Sequence, residues 1–108
     1  MANALDTTLT ARLREVLASD RVTEPELREL ADQGEGWARS LEAQVASAER
    51  RLSQLEQRPE SGLTEFATAL RRVETLRPEL VEVRDLLAAL DDRARDLRAG
   101  WLRAAQQT

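Results

Sequence analysis

The stretch Leu80-Val-Glu-Val-Arg-Asp-Leu-Leu-Ala-Ala-Leu-Asp-Asp-Arg-Ala-Arg-Asp-Leu-Arg-Ala-Gly-Trp101 decides the fold of this chain. Leu80, Val83, Leu87, Leu90, Ala94, Leu97 and Trp101 step along it by 3, 4, 3, 4, 3 and 4 residues. Alternating steps of three and four put apolar groups on one face of an α-helix. They form the seam along which one helix packs lengthwise on another. A strand would need apolar and polar residues to alternate with period two, and no part of the chain shows that pattern.

Toward the N-terminus the row of residues seven apart continues through Val73 to Phe66. Before Pro78 its members have apolar partners three residues earlier, Leu63 and Leu70. After Pro78 the partners lie three residues later, at Val83, Leu90 and Leu97. On a helix of about 3.6 residues per turn this change of flank moves the stripe by roughly 60°. The residues on either side of Pro78 are therefore expected to face different neighbours. Thr75 could cap a new helix with Pro78 in its first turn, or one helix could run through with a kink, and the sequence leaves both open.

A second seam, Ala38, Leu41, Val45, Ala48, Leu52 and Leu55, steps by 3, 4, 3, 4 and 3. Between the seams lies Arg58-Pro59-Glu60-Ser61-Gly62, a turn by composition, with Ser61 placed to cap the helix after it. The two seams predict a helical hairpin over 36–57 and 62–106, interrupted or kinked at Pro78. Two short helices precede it. One covers about 7–18, opened by Asp6 or Thr7. The other covers 24–33. Thr23 with Glu26 three residues later is a capping box, Pro25 is tolerated in a first turn, and Gly34 is placed to end the helix. Residues 1–108 thus read as a single all-α domain: an antiparallel four- or five-helix bundle with coiled-coil character and a long C-terminal helix.

Composition removes most catalytic chemistry. All 16 basic residues are Arg, and the chain has no Lys, His, Cys or Tyr. His is the usual general base near neutral pH, Cys the most reactive nucleophile and Lys the Schiff-base residue. A Ser-His or Cys-His triad cannot be assembled, nor can a Cys/His zinc site or a Glu-x-x-His di-iron site. The sequence therefore reads as non-enzymatic, without catalytic or metal-binding residues and without a cofactor. The segment Ser19-Asp20-Arg21-Val22-Thr23 with Glu26 resembles the second half of an EF-hand loop. Its first half departs from that pattern, with Leu17 at a ligand position and Asp20 where glycine is needed, so calcium binding is not implied.

The net charge is −4. Arg93, Arg95, Arg98 and Arg103 make the last turns locally basic, but Asp91, Asp92 and Asp96 interleave with them, and an acidic chain of this kind is not expected to bind nucleic acid. Glu24/Arg28, Glu35/Arg39 and Asp91/Arg95 are spaced as i,i+4 ion pairs. The longest apolar run, Leu86-Leu-Ala-Ala-Leu90, is far short of the ~20 residues of a membrane span. The first residues lack the basic and apolar parts of a secretory signal, so a cytoplasmic location and no membrane partner are expected.

Helix length shapes the functional expectation. A 36–57 helix of roughly 21 residues is ~31 Å long, whereas 62–106 would reach ~66 Å if unbroken. The C-terminal seam is thus expected to carry more apolar surface than its own chain covers, and exposed stripes of that size are uncommon on monomers. The expected function is self-association, as a dimer, or docking of another helical protein. Leu80, Val83, Leu87, Leu90, Leu97 and Trp101 are the candidate interaction residues, with Trp101 a large aromatic of the kind enriched at binding hot spots. A small-ligand-binding regulatory bundle is the alternative, for which only Arg77 stands near a seam as a polar group.

Overall fold

A computed structural model describes residues 4–58, 60 and 62–106, and of residues 4–7 only the helical backbone. The described residues form three α-helices and no strand: α1 over Ala4–Ala18, α2 over Glu24–Glu56 and α3 over Leu63–Gln106. The expected capping residues Asp6, Thr7 and Ser61 lie where side chains are not described.

Three helices stand where four or five were expected, because the break expected at Gly34 does not occur and Pro78, where a break and a kink were both open, lies within a continuous helix. The helices expected over 24–33 and 36–57 are one helix of 33 residues. Gly34 does not adopt the positive φ of a helix-ending glycine. It is buried inside the helix instead, where its missing side chain admits Leu87 of α3. A mid-helix glycine costs about 1 kcal/mol in propensity, and here it permits close helix contact. Pro78 lies inside the single 44-residue helix α3. Having no N–H, it leaves the Glu74 carbonyl without its usual partner, so the helix continues with one backbone hydrogen bond fewer.

The start of α2 forms as its residues dictate. Thr23 N donates to Glu26 Oε2 and Glu26 N donates to Thr23 Oγ1, both at 3.4 Å. This is the reciprocal capping box, with Glu24 and Glu26 in the positive first turn of the helix.

The described residues pack as two compact units. One combines Met1–Trp37 with Val83–Thr108, and the other is Ala38–Glu82. In the first, α1, the start of α2 and the end of α3 enclose Leu13, Leu27, Leu30, Val83, Leu87 and Leu90. There α2 and α3 run antiparallel, with Glu24 beside Arg98 and Gly34 beside Leu87. Arg93 Nη2 donates to the Ser19 carbonyl at 3.0 Å, bringing a cation to the negative C-terminal end of α1. In the second unit α2 and α3 alone pack along Ala38, Leu41, Ala48 and Leu55 against Ala69, Val73 and Leu76. Two helices bury only one seam, so Val45, Leu52, Phe66 and Leu80 remain half-buried. Arg77 is exposed and pairs with Glu49 at 3.0 Å, so it does not interrupt this seam.

Candidate docking groove

Within the first unit, α2 and α3 frame an open groove of about 450 Å³. From α2 it takes Glu24, Leu27, Arg28, Ala31 and Glu35, and from α3 Arg84, Leu87, Ala88, Leu90, Asp91, Ala94 and Arg98. These positions recur at three- and four-residue steps, so each helix turns one continuous stripe toward the groove. Its buried apolar lining is Leu27, Leu87 and Leu90, with the short side chains of Ala31, Ala88 and Ala94 beside them. Its floor is therefore apolar and its rims are charged.

The rim charges hold one another. Glu24 Oε1 accepts from Arg28 at 3.3 Å and lies 3.6 Å from Arg98 Nε, joining the start of α2 to α3. Arg95 pairs with Asp91 one turn back and approaches Asp92 at 3.9 Å. These are surface pairs, each worth a few tenths of a kcal/mol up to ~1 kcal/mol, and they set register more than stability.

The six interaction candidates divide by position. Val83, Leu87 and Leu90 are buried core, with Leu90 only 1% exposed. That part of the seam is covered by the chain itself, against the expectation that it would be left partly bare. Leu80 lies in the second unit and is half-buried, as is Leu97 in the first. Trp101 is 60% exposed. It shares the spine of Leu87 and Ala94, but α2 begins level with Arg98, short of covering it. Leu102, 65% exposed, is the residue the seam pattern overlooks. It ends a second row, Arg84, Ala88, Asp91, Arg95, Arg98 and Leu102, stepping by 4, 3, 4, 3 and 4. That row is mostly charged and so carries no hydrophobic period, yet four of its members, Arg84, Ala88, Asp91 and Arg98, line the groove.

Among the described residues two buried nitrogens lack hydrogen-bond partners, Trp37 Nε1 and Arg93 Nε. A smaller hollow of about 290 Å³ in the second unit is lined by Arg51, Thr64, Glu65, Thr68, Ala69 and Arg72. Among the described residues no polar or charged residue is buried as a whole, no group of three or more Asp and Glu is placed to hold a metal ion, and no helix is long and apolar enough to cross a membrane. No family model, no curated protein and no solved structure matches the chain.

Proposed function

We propose that this chain is a non-enzymatic helical interaction module that seats an amphipathic helix in the groove between α2 and α3, with Trp101 and Leu102 as apolar anchors at its end. The observation that carries this reading is the pairing of an open groove lined by leucine and alanine with an exposed Trp-Leu step on the same stretch of α3. Helix-in-groove recognition needs such a trough, with charges along its edges to fix register. An aromatic at the end of the trough supplies the concentrated apolar contact that dominates such interfaces. Coiled-coil packing, self-association or a helical partner, and a cytoplasmic setting belong to this reading. The lack of Lys, His, Cys and Tyr in the chain supports the non-enzymatic part.

The test is titration with a synthetic helical peptide bearing Ala and Leu on one face and alternating Glu and Lys on the other, monitored by tryptophan emission in a Trp37→Phe background. Binding that shifts Trp101 emission to the blue, and that is lost in Ala88→Arg and Ala31→Arg, supports docking. Binding unchanged by either substitution rejects it. Saturable binding of a small apolar or anionic compound in the groove, blocked by the same substitutions, favours the ligand-binding alternative instead.

A further inference from the structure

Resting on that docking reading, we infer that the occupant of the groove is the end of α3 from a second copy of this chain, the two helices lying antiparallel about a two-fold axis at the level of Arg93. Three observations converge on this occupant. First, the chain carries both halves of the contact: the open groove over Ala31 and Ala88, and just beyond it the exposed Leu102. Second, the groove-side row from Arg84 to Leu102 reads the same from either end, with steps of 4, 3, 4, 3 and 4. Antiparallel pairing therefore matches every member of the row with a member on the other copy, which is the self-complementarity a two-fold interface requires. Third, the charges are polar along the helix. Residues 84–92 hold three Asp and one Arg, whereas residues 93–103 hold four Arg and one Asp. An antiparallel pair sets acid against base, and a parallel pair sets like against like.

The row also fixes the register. Leu102 arrives against the Arg84 stem and Ala88 of the other copy. Asp91 faces the second Arg95, so the Asp91–Arg95 pair already made within each helix becomes a four-membered network at the axis. Asp85 comes within reach of the second Arg103. Neither Asp85 nor Arg103 makes an ion pair within the described chain, and both are exposed.

The test is sedimentation velocity over a wide concentration range, joined to distance measurement between spin labels. The chain has no cysteine, so Gln106→Cys carries a single label. Antiparallel pairing places two such labels about 40 Å apart, from the helical rise of about 1.5 Å per residue, whereas parallel pairing brings them to helix-contact distance. Leu102→Asp is expected to weaken association at least tenfold without lowering the Tm measured at concentrations where the parent is monomeric. Asp85→Arg and Arg103→Asp should each weaken it, and the double variant should restore it. A folded monomer at every concentration, a short label distance, or failure of the double variant to rescue overturns the inference. If the chain stays monomeric but the synthetic peptide still occupies the groove, only the second copy is rejected and the docking reading stands. If neither binds, both fall.

Discussion

Gly34 and Leu87 meet so closely that a methyl group on the glycine would stand 2.5 Å from Leu87 Cδ2 and 3.4 Å from its Cγ. Leu87 is buried, and its terminal Cδ2 methyl would have to turn toward the groove to make room. Gly34→Ala therefore sets an overpacking cost of about 1–3 kcal/mol against a helix-propensity gain of about 1 kcal/mol. The expected result is a lower Tm. Gly36, two residues on, has nothing within 4 Å of the same added atom, so Gly36→Ala should raise stability by up to about 1 kcal/mol. Thermal melts of the two variants should move in opposite directions, and a stabilised Gly34→Ala would refute the close approach.

Core and surface members of the C-terminal seam should separate cleanly. Leu90→Ala empties an enclosed site and is expected to cost about 2–5 kcal/mol of unfolding free energy. Trp101→Ala removes a side chain that the folded chain leaves largely in solvent, and should change stability by less than about 0.5 kcal/mol. Urea titration of both variants checks this, and comparable losses would show that Trp101 is part of the core.

The capping box at the start of α2 makes a specific demand. Thr23→Ala should lose about 1 kcal/mol, whereas Thr23→Ser keeps the accepting hydroxyl and should lose little. Glu26→Gln retains an oxygen for the Thr23 amide and should be milder than Glu26→Ala. Equal effects from all four substitutions in chemical denaturation would contradict the reciprocal hydrogen bonds.

Arg93→Met keeps an unbranched stem of similar reach and removes the charge that meets the Ser19 carbonyl. A charge-assisted hydrogen bond of this kind is worth about 1.5–3 kcal/mol where solvent is partly excluded. The loss should appear first in α1, as faster amide exchange over residues 8–18 than in the parent protein. Uniform exchange across the chain would deny the tie a local role.

Helical character, the two seams and the start of α2 are legible in the sequence because each rests on local chemistry: a 3–4 period, or a side chain reaching its own backbone three residues away. Gly34 misleads because glycine satisfies two opposite demands, a left-handed helix end and a close helix contact, and only the position of Leu87 tells them apart. The seam itself is plain, yet the burial of Val83, Leu87 and Leu90 depends on α1 and on the uninterrupted α2. Leu102 escapes notice because its row is written in Arg and Asp rather than in apolar residues. The groove is equally silent, since Ala31 and Ala88 look like ordinary helix formers until a second helix lies beside them.

The division of the chain into one contiguous and one split unit sets an order of assembly. Residues 38–82 need only a hairpin between near neighbours, whereas the other unit joins residues 74 apart, as Arg93 does with Ser19. Closing a long loop costs chain entropy before any contact is gained. Zippering of the central hairpin brings Trp37 and Val83 together beforehand and removes much of that cost. The kinetic nucleus is therefore expected in Ala38–Glu82, and refolding kinetics test it: core substitutions there should slow refolding, while those in the split unit should chiefly hasten unfolding.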